Sequence, residues 1–488
     1  MTPHYDTATP PGELPQLDPA VRFLHTAPAQ GDQPPYPPSP DAATPHDEMH
    51  RGQLRMAERL AHRYGGHLLY AHGLGWHQWD GHRWALDKDG AAMRAAVDTV
   101  KAALRDLDQL DGKERDALYA DVRKTENASG LEGMLRIASA LDSFAVAAER
   151  LDADANLFNT TDGTLDLSTG QIRPHNPADR ITKVAGCGLS DESGPKFEWF
   201  LAEVLPDPDV RHFVQQLFGY ALLGRVREHV LPIFTGTGKN GKSTLLDAVG
   251  KAFGDYAISA EPEMLIERGN AHPTGQADLL GVRLAMTSET DEGRKLAAAT
   301  VKRLTGGDKV RARKMRKDFF EFDPSHTIVL VTNHKPQVSG NDPALWRRIR
   351  VVPFDVVVQN VDPRLPERLA AELPAILGWA YAGYRSYAAH GLSEPAAVVE
   401  RTAAYRAESD AVGRFLDERA ILSQYAAVRS GELFSEWSRW CASNGEQPGT
   451  EVTFAQTMAG KGFEKKKRGG YPTYLGLMLA AEADDEAA

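Results

Sequence analysis

Two hydrophobic periods divide this chain into elements. Residues 230–234 form a short continuous apolar run, which predicts a buried strand. Beyond a glycine-rich stretch, Leu245, Leu246, Val249 and Phe253 recur at helical spacing. Upstream, residues 49–70 follow a helical pattern. Residues 75–84 then predict a hairpin about Asp80-Gly81, with Trp76, Trp79 and Trp84 forming a small β core. Residues 90–150 are helical. Residues 159–172 predict a second hairpin, turning at Asp162-Gly163 and Thr169-Gly170. Residues 197–223 are helices interrupted at Pro206-Asp-Pro208. Downstream, strands are predicted at 282–288, 327–332 and 351–354, with a short helix at 296–304. The last part predicts connecting helices at 395–416, an amphipathic helix at 432–441, a short helix at 453–461 and a β-wing at 463–475.

Composition narrows the setting. A chain of 488 residues is long enough for two to four domains. Its net charge of −11 excludes a generally basic polyanion binder, so any nucleic-acid contact must be a local patch. Cys187 and Cys441 are far apart and form no metal or redox spacing. No apolar run reaches the roughly 18 residues of a membrane span, and the start lacks a signal-peptide pattern, so a cytoplasmic protein without membrane contact is expected. Residues 1–50 are proline-rich with few apolar anchors, which predicts a disordered arm. Residues 481–488 are an acidic tail.

Between the strand at 230–234 and its helix lie Gly236, Thr237, Gly238, Lys239, Asn240, Gly241, Lys242, Ser243 and Thr244. This run fits the phosphate-binding pattern G-x-x-x-x-G-K-[ST] in the strand–loop–helix context that the pattern requires. The glycines let backbone amides curl around a polyphosphate, and the helix N-terminus adds partial positive charge. Lys242 then reaches the β- and γ-phosphates, and the Ser243 hydroxyl can ligate Mg²⁺. Glu289, ending the strand at 282–288, is a carboxylate where Mg²⁺ and the attacking water are handled. Asn333, ending the strand at 327–332, is an amide suited to holding that water. Residues 309–317 contain Lys309, Arg311, Arg313, Lys314, Arg316 and Lys317 and no acid, and their alternation suggests a basic β-hairpin. A second basic run, Lys465, Lys466, Lys467 and Arg468, lies in the terminal wing and is expected to face phosphate.

Together these motifs resemble a known family. Residues 231–354 resemble the compact superfamily 3 helicase core of the AAA+ ATPases, and residues from about 55 to 390 resemble the helicase half of phage and plasmid primase-helicases. The resemblance rests on the phosphate loop, the Glu289 strand, the basic hairpin, the Asn333 strand and the Trp346-Arg-Arg348 segment. It also includes residues 159–173 and Phe218-Gly-Tyr220. It implies an α/β fold: a P-loop AAA+ superfamily 3 core at 196–390. An N-terminal α+β helicase-associated domain at 51–195 precedes it, and a winged-helix-like DNA-binding domain at 391–480 follows. It further implies ATP and Mg²⁺ as cofactors, with Lys242 and Ser243 binding them, Glu289 polarising water and Asn333 as sensor. Lys314 would grip single-stranded DNA in a ring channel. Arg348 would be an arginine finger acting across a subunit interface, with Arg347 as the alternative. The expected activity is an ATP-driven DNA helicase or translocase in phage, prophage or plasmid replication. A DNA-stimulated ATPase serving as initiator, loader or switch without processive unwinding is the alternative. Expected partners are single-stranded and forked DNA, further copies forming a homo-hexamer, and a separate primase or polymerase. One departure concerns the metal: many members carry two adjacent acids where this chain has Ser288 before Glu289. Only about 50 residues precede the helicase half, so primer synthesis is not expected.

Overall fold

The computed structural model describes residues 50–480 apart from 268–274, 290–293, 314–318 and 339–341. The proline-rich arm up to residue 49 and the acidic tail lie outside the described residues. The chain begins with α1 (Gly52–Tyr64), β1 (Leu68–Ala71), β2 (Gly75–Trp79) and β3 (Trp84–Leu86). Then come α2 (Ala91–Asp106), α3 (Gly112–Thr125), α4 (Ala128–Ala138) and β4 (Ala145–Val146). The helical pattern at 49–70 overran its element. Gly65 ends α1 and Gly66 takes a positive φ of 88°, which turns the chain into β1. The expected hairpin at 75–84 is present as β2 and β3, with Trp79 and Trp84 buried against each other. The start of α2 is capped from a distance, since the Asp87 carboxylate accepts the amides of Gly90, Ala91 and Ala92.

A three-stranded meander follows: β5 (Leu157–Asn159), β6 (Thr164–Asp166) and β7 (Gln171–Arg173). It turns at the two predicted places. The helices α5 (Pro195–Val204) and α6 (Pro208–Tyr220) are separated by the Pro-Asp-Pro break. Next come β8 (Leu231–Thr235), α7 (Lys242–Phe253), β9 (Ala257–Ala260), β10 (Leu284–Glu289) and α8 (Ala298–Leu304). They are followed by β11 (Val310–Arg313), β12 (Phe319–Phe322), β13 (Thr327–Thr332), α9 (Pro343–Trp346) and β14 (Ile349–Pro353). Helices α10 (Leu365–Ala371) and α11 (Leu373–His390) complete this part. Strands β14, β8, β13, β10 and β9 form, in that order, one parallel sheet.

That sheet is covered on both faces, as a parallel sheet must be. Phe234, Val329, Val331 and Val352 point into a core shared with α5, α6, α7 and α11. Their neighbours Leu231, Ile233, Ile328, Leu330 and Val351 point the other way, into a core shared with β11, β12 and the Trp79–Trp84 hairpin. Each fully buried side chain of this kind contributes about 1.5–3 kcal/mol. The meander belongs to the first of these cores, so packing has no break at residue 195. Its tie to the sheet is Arg283, which is 2% exposed. That guanidinium donates to the Leu157 carbonyl at 3.0 Å and lies over the Tyr256 ring.

Helix α12 (Ala396–Ser409) packs on α9 through Tyr405 against Trp346 and on β14, where Thr402 accepts the Val351 amide. A separate small core then gathers α13 (Ala411–Arg419), β15 (Ala420–Arg429), α14 (Ser430–Asn444), α15 (Glu451–Gly460), β16 (Lys465–Arg468) and β17 (Tyr471–Leu479). The strands order as β15-β17-β16. No element had been predicted for β15, because its exposed, non-alternating residues carry no period-two signal.

Candidate nucleotide-binding site

The sheet register brings the glycine loop, Glu289 and Asn333 to one end of the sheet. Pro353 pairs with Thr235, Thr235 with Thr332, and Thr332 with Glu289. The carboxyl ends of β14, β8, β13 and β10 are therefore level. The glycine loop leaves β8 from this line, and Asn333 follows β13 immediately. β8 is also where the connections change direction: the path after it runs to β9 at one edge, and β13 later crosses to β14 at the other. Such a switch point at the carboxyl ends opens a ligand crevice in α/β sheets.

The loop owes its shape to close approach. A Cβ built on Gly236 would stand 2.4 Å from the Phe354 carbonyl oxygen, and one on Gly241 would stand 2.5 Å from a Val204 methyl. Gly238, Lys239 and Gly241 take φ of 105°, 52° and 80°. Lys239 is thus one of the few non-glycine residues in the left-handed region, where backbone strain collects at functional turns.

Lys242 opens α7 and is 5% exposed. Its ammonium donates to the Gly236 carbonyl at 3.0 Å, Asn240 Oδ1 at 3.0 Å and Asn333 Oδ1 at 3.2 Å. All three ammonium donors are used and every acceptor is neutral. Burial lowers its pKa from the usual lysine value. Asn240 is 2% exposed. Its Oδ1 also accepts the Gly238 amide at 2.8 Å, while its buried Nδ2 has no partner among the described residues. A buried cation and a buried orphan donor thus meet at the mouth of a glycine cradle, an arrangement complementary to an anion. Thr237, Lys239 and Ser243 are exposed at its rim, and Thr244 is half-buried. For Glu289 only the backbone position is described.

The arginine pair lies elsewhere. Ile349 pairs with Leu231, so Arg347 and Arg348 stand at the amino end of β14, at the opposite end of the sheet from the glycine loop. Arg348 is 5% exposed, with Nε donating to Thr305 Oγ1 at 3.1 Å and a terminal nitrogen to the Ala344 carbonyl at 2.7 Å. Burial and the neighbouring Arg347 charge lower its pKa. No carboxylate pairs with it among the described residues. Arg347 is exposed, and its guanidinium is unpaired among the described residues. The segment is a short helix and turn, and it exposes Arg347 while burying Arg348.

The basic hairpin is present as β11 paired with β12, so its second strand falls at 319–322, beyond the basic run itself. Val310, Ala312, Phe320 and Phe322 face the core, while Arg311 and Arg313 are exposed and lie over the exposed Phe319 ring at 4.8 and 4.9 Å. Lys309 is exposed beside them. Lys314 lies outside the described residues. In the terminal sheet, strand alternation divides the second basic run. Lys465 and Lys467 pair across from Tyr474 and Pro472, and Lys466 and Arg468 from Thr473 and Tyr471. Lys465 is engaged with Glu451 at 3.3 Å and lies over the buried Tyr474 ring. The four cations therefore do not form one phosphate-facing row.

Residues 57–206 match the family described as D5 N terminal like, and residues 234–348 match a family of unknown function, DUF5906. A "Putative helicase" of Acanthamoeba polyphaga mimivirus is 23% identical over 414 residues, covering 76% of this chain and 43% of the relative. A "Putative primase" of African swine fever virus is 22% identical over 357 residues, covering 66% of this chain and 37% of the relative. These matches support a likeness to the phage-type primase-helicase family. A third viral relative, a "Putative helicase" of Frog virus 3, is 27% identical over 284 residues, covering 53% of this chain and 29% of the relative. The chain spans less than half the length of each of these proteins, 29% in the frog virus case. Among solved structures, the apo C-terminal region of NrS-1 aligns with a TM-score of 0.47 at 11% identity, covering 87% of this chain and 99% of that one. None of the described helices is long and apolar enough to cross a membrane.

Proposed function

We propose that this chain is an ATP-driven DNA helicase or translocase of phage, prophage or plasmid replication. It is built on a P-loop AAA+ superfamily 3 core and hydrolyses ATP at subunit interfaces of a ring. The observation that carries this reading is the Lys242 ammonium held jointly by the glycine loop and by Asn333, on the line of strand ends that includes Glu289. The viral relatives named as helicases and primases support the replication setting.

ATP with Mg²⁺ supplies the electrophilic γ-phosphoryl group and neutralises its developing charge. The residues fit such a group: a cradle closed to side chains, a buried cation with only neutral acceptors and a buried orphan amide donor beside it. Residues 236–244 would hold the phosphates through the loop amides, Lys242 and Ser243. Glu289 would hold Mg²⁺ and orient water. Asn333 would exchange its bond to Lys242 for one to that water, which makes it a sensor of occupancy. For the finger, an exposed, unpaired guanidinium can reach a neighbouring subunit, whereas a buried and satisfied one cannot without local unfolding. That contrast supports Arg347 over Arg348, with Arg348 anchoring the turn that presents it. Arg311 and Arg313 stacked on Phe319, with Lys309 and Lys314, would form the DNA-gripping hairpin of the channel.

The deciding experiment measures ATP hydrolysis with and without single-stranded DNA and then strand displacement on a forked substrate. Stimulated hydrolysis with displacement is expected. Stimulated hydrolysis without displacement would point to the initiator or loader role. No hydrolysis at all would refute the reading.

A further inference from the structure

The terminal sheet has an outward face that the phosphate site does not use. In β17, Tyr474 and Leu477 enter the small core; Tyr471, the buried Thr473 and Leu475 alternate with Tyr474 to the other side, and the phase shifts at Gly476, opposite the bulge in β15. Register sets Arg429 and Lys466 on either side of Thr473, and Arg468 across from Tyr471. These three cations therefore share the outward face. The Arg429 guanidinium lies 4.4 Å from the centroid of the Tyr471 ring, which is 55% exposed. Further along, Ile421 pairs with Met478, both well exposed. Between the two rows β15 bulges, with Ser423, Gln424, Tyr425 and Ala426 set against Gly476 alone. Tyr425 on that bulge is 86% exposed, the most exposed large apolar side chain among the described residues.

We propose that this outward face of β15, β17 and β16 binds single-stranded nucleic acid, with bases stacking on Tyr471 and Tyr425 and phosphates meeting Arg429, Lys466 and Arg468. Charge complementarity selects the occupant. On the opposite face Lys465 is paired with Glu451, whereas no carboxylate pairs with Arg429, Lys466 or Arg468 among the described residues. Three unneutralised cations on one small sheet, in a chain of net charge −11, call for a polyanion. Exposed aromatic rings select its form. Base faces are buried in a duplex and free in a single strand, where stacking on aromatic side chains tolerates any sequence. Arg429 keeps the Tyr471 ring in place and extends the platform by cation–π contact. An acid-poor protein would cover Ile421 and Met478 but leave the three cations unmatched. The proposal extends the DNA-acting reading above without depending on it, because it requires no nucleotide.

The test is equilibrium binding of the full chain, without nucleotide, to a labelled oligothymidine, an abasic strand and a duplex of equal length. It is repeated in an Arg313→Ala background to remove part of the hairpin's share. Tyr471→Ala is expected to weaken oligothymidine binding between about fivefold and a hundredfold, and Tyr471→Phe to retain it. Both should melt as the parent does. Lys466→Ala should flatten the log–log salt dependence by about 0.7. Equal affinity for the abasic strand, or equal loss on the duplex, would overturn the stacking role. Unchanged binding in both Tyr471→Ala and Tyr425→Ala would overturn the site. So would a change confined to the sizing profile, which would make the face an interface between copies. Failure of the ATPase assay would leave these outcomes unaffected.

Discussion

Replacing Arg347 and Arg348 separately should separate stability from turnover. Arg348→Ala removes two hydrogen bonds from a buried charged donor, to Thr305 Oγ1 and the Ala344 carbonyl. Such bonds contribute about 1.5–3 kcal/mol each. Thr305 keeps its own bond to the Val301 carbonyl, and losing a buried charge returns part of its desolvation cost. A net destabilisation of about 2–4 kcal/mol remains, which lowers the melting temperature by roughly 5–15 °C. Arg347→Ala removes an exposed side chain with no partner among the described residues, so stability should change by less than about 0.5 kcal/mol. If Arg347 is the finger, its loss should cost about 10³–10⁵ in turnover. Melting by intrinsic fluorescence and steady-state ATP hydrolysis are measured on both variants. Arg347→Ala is then mixed with Lys242→Ala. Partial recovery is expected, because some interfaces pair an intact Lys242 with an intact Arg347. Full activity in Arg347→Ala, or no recovery on mixing when subunit exchange is confirmed by sizing, would refute the assignment. A folded but inactive Arg348→Ala that recovers on mixing would return the finger to Arg348.

Lys242→Ala should abolish hydrolysis while the variant still folds, since Asn240 keeps the Gly238 amide and the exposed Asn333 turns to water; a variant that fails to fold would count against a phosphate role. Arg313→Ala should reduce single-strand-stimulated hydrolysis more than basal hydrolysis and flatten the salt slope of binding by about 0.7; an unchanged slope would make the hairpin a solvated face. Burial lowers the His326 pKa to about 4. The unfolded chain protonates this group below its ordinary value near 6.5 while the folded chain keeps it neutral. Stability should therefore be unaffected above that value and fall as pH drops toward 4, by about 3 kcal/mol from this residue. Denaturant titrations across that window should show the slope, and His326→Phe should reduce it.

The local grammar of the chain was sufficient for much of the result. The glycine loop between β8 and α7, the strand β13, the meander turns and the Pro-Asp-Pro break all follow from spacing and turn chemistry, which act over a few residues. The order of candidate residues along the chain was legible for the same reason. What they do to one another was not. That Asn333 bonds Lys242 depends on β13 lying beside β8, a pairing between segments about 90 residues apart. That Arg348 is buried and Arg347 free depends on which side of a short turn meets Thr305. Alternation within β16 was readable, but the partner strand decides which cation meets Glu451 and which stays open. The missed strand β15 has almost no hydrophobic pattern, and it exists because β17 supplies its hydrogen-bonding edge. Sequence determines the elements whose preference is local; the tertiary structure determines burial, partners and hence charge state, because those depend on what long-range packing brings alongside.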